Sequence, residues 1–180
     1  MNKINLAEVP ITEHKSPRGK FRLLRQHVSH ALTGVNGLEK QGLKQPFEVE
    51  VVRLPPKAVN WPYHSHSAQW EFYHIISGRG QVRTPDGNFN VQEGDCLVHP
   101  PNEPHQMTNT GATDLIYYVV ADNPVSDVTH YPDSKKIKVS GQDPVRVQPV
   151  NYYDGEESLF GVRWQNEAAT PRSKINRFPP

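Results

Sequence analysis

Four residues in the middle of the chain have the types and spacing to hold a metal ion: His64, His66, Glu71 and His105. His64 and His66 stand two apart, so on an extended backbone their rings leave the same face, roughly 6.6 Å apart along the strand. Imidazoles so placed can lean onto one ion about 2.1 Å from each nitrogen. Glu71 follows with a carboxylate, and His105, from a separate run, adds a third imidazole. Together they form a one-sided set whose open side belongs to water or substrate. Such a set accepts divalent Fe, Mn, Zn, Ni or Co, and ligand identity does not choose among them. The ion would polarise a carbonyl or hydroxyl of a chelating substrate, or bind dioxygen when redox-active. The competing reading keeps the four residues as a polar network without a cation, at a cost in desolvation.

Neighbouring positions follow from strand alternation. Tyr73 shares the face of Glu71 and is the candidate catalytic residue, although no separate general base is identifiable. Met107 and Asn109 share the face of His105, and Gln69 with Trp70 lies at the mouth. The expected substrate pocket is therefore Gln69, Tyr73, Met107 and Asn109; the plain alternative for Tyr73 and Met107 is that they fill the interior. His74, three residues beyond Glu71, faces the opposite side. His99 borders the Pro100-Pro101 turn and reads as a surface or loop histidine. Cys96 has no adjacent cation to activate it and reads as a small buried hydrophobe.

The elements that must position these residues are short strands. FEVEVVRL (47–54) alternates in part, WEFYHII (70–76) is aromatic and β-branched, and LIYYVVA (115–121) closes the series. Turn chemistry separates them at Ser77–Gly80, Pro85–Asn88, Glu93–Asp95 and Asn109–Gly111. Residues 20–24 are extended in character, an extension continuing to about Ala31, and Leu32–Pro46 reads as a long loop. The 17 prolines disfavour helix interiors and sheet centres alike. Seven or eight short strands at roughly 8–12-residue intervals, without a βαβ rhythm or an internal repeat, predict an all-β sandwich or barrel.

The spacing carries a further resemblance. The first segment reads His64-x-His66, four residues, Glu71, six residues, Gly78. The second reads Gly94, five residues, Pro100, one residue, Asn102, two residues, His105, three residues, Asn109. This resembles the two-part signature of the cupin superfamily, whose members form a double-stranded β-helix, or jelly roll. The resemblance implies that His64, His66, Glu71 and His105 are the metal ligands. Asn102 departs from the glycine usual in the second segment, but Asn tolerates a left-handed backbone. The chain is similar to uncharacterised single-domain cupins, a resemblance that implies no one activity. Two functions remain open: a metal-dependent enzyme of oxygenase or isomerase type acting on a small oxygen-rich molecule, or a non-catalytic module that binds or senses one.

Composition bounds the rest. The length of 180 residues suits one domain. The division predicted is an N-terminal arm over 1–17, the barrel over 18–123, and a C-terminal extension over 124–180 whose last ten or so residues are disordered. The middle of that extension is aromatic, and Tyr152, Tyr153, Phe160 and Trp164 are expected to bury against the barrel or a second subunit. With 20 basic and 19 acidic residues and no basic patch interleaved with aromatics, nucleic acid is not an expected partner. No apolar stretch is long enough to span a membrane. The N-terminus lacks a signal-peptide core, and one cysteine makes no internal disulfide. These point to the cytoplasm, and the open edges of a jelly roll point to a homodimer.

Overall fold

The computed structural model describes residues 2–34 and 45–156. Within them the chain is almost wholly β, as the spacing of turn signals predicts. In chain order the strands are β1 (Thr12–Lys15), β2 (Arg22–His27), β3 (Phe47–Leu54), β4 (Ser65–His66), β5 (Glu71–Ser77), β6 (Arg79–Thr84), β7 (Gly87–Gln92), β8 (Cys96–His99), β9 (Gln106–Asn109), β10 (Leu115–Asp122), β11 (Val128–Tyr131), β12 (Lys136–Val139) and β13 (Val145–Arg146).

Six strands form one antiparallel sheet in the order β1-β2-β3-β10-β5-β8. A second layer begins with β7-β6-β9. Single bridges, Val59 to Thr108 and His64 to His105, carry it across to β4. From β4 it continues through β11, β12 and β13. Buried side chains from the strands, among them Leu23, Leu54, Ile75, Val82, Met107, Leu115 and Tyr117, form one contiguous core. This is the double-stranded β-helix that the sequence predicts.

Two positions show why the turns need their residues. Gly78, between β5 and β6, has φ +86°, and a Cβ there would lie 2.4 Å from the carbonyl oxygen of Asp114. Asn102 sits at φ +67°, so the asparagine does adopt the left-handed conformation, and its N–H donates to the His66 carbonyl at 2.7 Å. The loop before His105 is thereby tied to the strand that carries His66.

The N-terminal region departs from expectation. The extended run stops at His27, and α1 (Val28–Thr33) follows. The local pattern is too short to announce a helix. What stabilises it is tertiary: the buried Ser29 accepts the Val49 N–H of β3 at 3.0 Å, and Gly34 ends it in a left-handed cap at φ 68°. Residues 35–44 of the expected loop lie outside the described residues. The span read as an arm contributes β1, which pairs with β2 from Thr12–Arg25 to Lys15–Arg22.

One compact unit runs through Val147 and a second begins at Gln148. The first passes the expected boundary at 123 because β11 pairs with β4 and β12 with β11. In the second, Tyr152 and Tyr153 are exposed and pack edge-on against each other, while Phe160, Trp164 and the terminal tail fall outside the described residues. No described helix is long and apolar enough to cross a membrane.

Candidate metal centre

The four predicted ligands meet at one end of the barrel interior. His64 and His105 exchange backbone hydrogen bonds, at 3.2 Å for the His64 N–H and 2.8 Å for the His105 N–H. That narrow pair sets their rings 4.8 Å apart. The ring of His66 lies 5.2 Å from that of His64. Glu71 enters from β5 in the opposite sheet. Ligand atoms of His64, His66 and Glu71 all lie within 4.8 Å of one another, and Glu71 Oε2 is 2.7 Å from His105 Nε2.

Each histidine is oriented through its outer nitrogen. Nδ1 of His64 lies 2.8 Å from the Pro62 carbonyl and Nδ1 of His105 lies 3.1 Å from the Glu103 carbonyl. Nδ1 of His66 lies 2.6 Å from Asp127 Oδ2. Carbonyls and carboxylates only accept, so each Nδ1 carries a proton, and in the neutral ring the Nε2 lone pair would be left for the centre. Against a neutral His105, that lone pair would face a carboxylate oxygen at 2.7 Å, two acceptors that need a proton or a cation to reconcile them. The donor set fits a divalent ion by this test.

Burial and the positive field of His105 lower the pKa of His64 to about 3, which keeps it neutral and available. Burial alone would raise the Glu71 carboxyl, but the hydrogen bond and charge of His105, with the other two imidazoles, hold it at about 2. Glu71 is therefore a carboxylate, as a ligand must be. Tyr73 is fully buried; its hydroxyl donates to Glu71 Oε2 at 3.1 Å and lies 3.5 Å from His105 Nε2. Burial, followed by the Glu71 charge, pushes its pKa well above the usual phenol value, which suits a hydrogen-bond donor.

Beside this centre lies a cavity of about 510 Å³ lined by His64, His66, Glu71, Tyr73 and Gln69. Met107 and Asn109 are buried on the predicted face but do not line it. The Asn109 amide is occupied by the Leu54 and Thr113 carbonyls and the Gly111 N–H, so it holds a loop. His74 lies on the other face of β5, paired with Tyr118 and Cys96.

Two expectations are corrected. His99 is buried at 3% exposure. Its strand partner is Glu71, so it points inward, where its ring stacks on His105 at 4.0 Å. The nearby prolines suggested a surface turn, whereas β8 continues through His99. Cys96 is exposed, because its partner across β5–β8 is the outward-facing His74.

Several lining residues had no motif to mark them. Asp127 also accepts the Ala68 N–H at 3.0 Å and the Ser67 hydroxyl at 3.2 Å. Glu48, Glu50 and Arg25 line the cavity from β3 and β2, in the same sheet as Glu71. The alternation FEVEVVRL contained the signal for the glutamates. Glu48 and Glu50 share a face with the core residues Val52 and Leu54, while Phe47 and Arg53 are exposed.

Residues 50–121, which hold all four ligand positions, match the family model for the cupin domain. This segment is a cupin domain. It is similar to an uncharacterized protein of Methanocaldococcus jannaschii, 32% identical over 75 residues, covering 42% of this chain and 58% of that protein. It is also similar to an oxalate-binding protein of Thermotoga maritima, 30% identical over 69 residues, covering 38% of this chain and 56% of that protein. The matched stretches thus span a little over half the length of these relatives. Among solved structures, a sugar phosphate isomerase from Silicibacter pomeroyi shares the fold at TM-score 0.66 and 21% identity, over 83% of this chain and 97% of that one. The cupin domain is extended on both sides here, by β1 and β2 before it and by β11–β13 after it.

Proposed function

We propose that this cupin binds a divalent metal ion through His64, His66, Glu71 and His105 and is an enzyme acting on a small, oxygen-rich organic molecule held in the adjoining cavity, by isomerase- or oxygenase-type chemistry. One observation carries the reading: all three imidazoles have Nδ1 tied to an outer acceptor, and the one carboxylate among them lies within reach of the same point. A polar network without a cation has no need for three rings turned the same way. When bound, the ion supplies Lewis acidity toward a carbonyl or hydroxyl.

The chain's own residues do the rest. Asp127 fixes the tautomer and tilt of His66. Tyr73 donates to the Glu71 oxygen facing His105 and so directs that carboxylate's lone pairs. Val119, Ala121 and Tyr117 give the cavity an apolar side, which limits water around a bound molecule and strengthens its polar contacts.

The second reading, a binding module without catalysis, draws on the oxalate-binding relative. The test begins with metal analysis of the purified and the reconstituted protein by mass spectrometry. About one equivalent bound in the wild type and background in Glu71→Ala is the expected result. No metal in either preparation overturns the proposal. An oxygen-electrode screen with vicinal diols and β-diketones, run beside an isomerisation screen with hydroxy ketones, then separates the two reaction types. Tight binding of a small dicarboxylate without turnover would favour the binding module.

A further inference from the structure

Glu48 stands apart from the other charged groups of the cavity. Glu50 is held by Arg25 and by His27 Nδ1 at 2.9 Å, Glu71 by His105, and Asp127 by His66 and the β4 turn. Among the described residues the Glu48 carboxylate has no hydrogen bond or ion pair, yet the residue is half-buried and lines the cavity.

Its position relative to the ligands follows from strand register. Glu48 pairs with Ala121 of β10, and Ala121 pairs with Glu71 of β5. Residues directly opposite one another in an antiparallel sheet project from the same face. Glu48, Ala121 and Glu71 thus form a row across three strands, with its ends two strand spacings, about 9.6 Å, apart. The middle residue carries only a methyl group, so the space between the two carboxylates stays open. A molecule held at the ligand end by two adjacent oxygens would extend its next substituent toward Glu48.

The same wall is poor in free positive charge. The Arg25 guanidinium reaches Glu50 through one terminal nitrogen, lies over the Trp61 ring at 5.6 Å, and keeps a buried Nε without a partner. Lys138 is exposed at the rim. A phosphate at the far end would meet a carboxylate that has no direct ion-pair partner and feels Arg25 and His27 only at a distance, whereas a hydroxyl or ammonium group would give that carboxylate the donor it lacks. Burial and the neighbouring Glu50 raise the Glu48 pKa, and a donor in the cavity would offset both.

We propose that Glu48 determines specificity: the site takes a chelating α-hydroxy acid or hydroxy carbonyl whose next carbon bears a hydroxyl or ammonium group, and disfavours the phosphorylated counterpart. This rests on the metal reading above and adds the ligand class.

The test is calorimetric titration of the metal-loaded full chain with four compounds that share one chelating end: lactate, glycerate, isoserine (3-amino-2-hydroxypropanoate) and 3-phosphoglycerate. The expected order is isoserine, then glycerate, then lactate, with 3-phosphoglycerate weakest and isoserine at least about tenfold tighter than lactate, as for a charge-assisted hydrogen bond. In Glu48→Gln the isoserine advantage over glycerate disappears and the phosphate penalty shrinks. Glu48→Asp, which keeps the charge, retains the order, and thermal melting of both variants verifies the fold. Metal content is measured on the same samples. If metal is bound and the order is flat, reversed in favour of phosphate, or unchanged in Glu48→Gln, or if no compound binds, the Glu48 assignment is wrong while the metal reading stands. If no metal is bound, both fail together.

Discussion

The four candidate ligands come from one part of the chain, while some of the residues that orient or face them come from outside it. His64, His66, Glu71 and His105 all lie within the cupin segment 50–121. Asp127, which holds His66, and Glu48, Arg25 and Tyr131, which line the cavity, lie outside it. Within the segment, a strand repeat of two residues and one narrow backbone pair are enough to bring donors together. Outside it, positions are fixed by long-range pairing: β11 against β4 and β2 against β3. The flanks therefore contribute the carboxylate that holds His66 and part of the cavity lining.

Four measurements would sharpen or break this division. The largest effect should come from within the segment: Glu71→Ala removes the only carboxylate of the set and should lower metal affinity by more than ~100-fold in a chelator competition. Asp127→Asn should lower it by about 10- to 100-fold, since the amide cannot accept from His66 Nδ1 with a full charge. Equal losses in the two variants would erase the distinction between ligand and support.

The third measurement concerns acid. Burial would raise the pKa of Glu50, but the His27 hydrogen bond and the Arg25 charge outweigh it and hold it below the usual value. A depressed carboxylate stabilises the fold above its unfolded pKa of about 4.3. That contribution is lost as pH falls through the lower folded value. Denaturant midpoints recorded from pH 6 down to pH 3 should fall more steeply in the wild type than in Glu50→Gln. A parallel decline would mean that the β2–β3 wall of the cavity contributes no charge-linked stability. The smallest effect is expected at Arg83→Ala, which breaks the exposed bidentate pair to Asp133 at 2.7 and 2.9 Å. It should cost under about 1 kcal/mol in thermal unfolding, although it ties β6 to the turn between β11 and β12.

The same division explains what the sequence made legible. The fold and the convergence of His64, His66, Glu71 and His105 were readable because strand alternation and turn chemistry are local, and the two motif segments are dense in both. His99 was misplaced because the prolines after it mark a turn, and Cys96 because residue type alone points inward, whereas the alternation of β8 decides both. Asp127 was not readable at all: nothing near it in sequence indicates that it lies beside His66, 61 residues away. Glu48 was readable in principle, from its period with Val52 and Leu54, but a charged residue in an alternating strand is ordinarily placed on the solvent side. Helix α1 depends on Ser29 meeting Val49, a contact no local pattern encodes.

The pairing of β4 with β11 has a thermodynamic consequence. Ser65 and His66 would otherwise be a two-residue edge, and they gain order from Thr129 and His130 opposite them. Because the chain segment that grips His66 is the one that pairs with its strand, occupancy of the centre and closure of the β11–β12 hairpin are reciprocally linked. An ion at a thousandfold excess over its dissociation constant adds about 4 kcal/mol to the state that binds it. If opening the hairpin frees His66, that increment should appear as slower amide exchange along residues 128–139, a stretch that begins only after the last strand of the cupin segment has ended at Asp122.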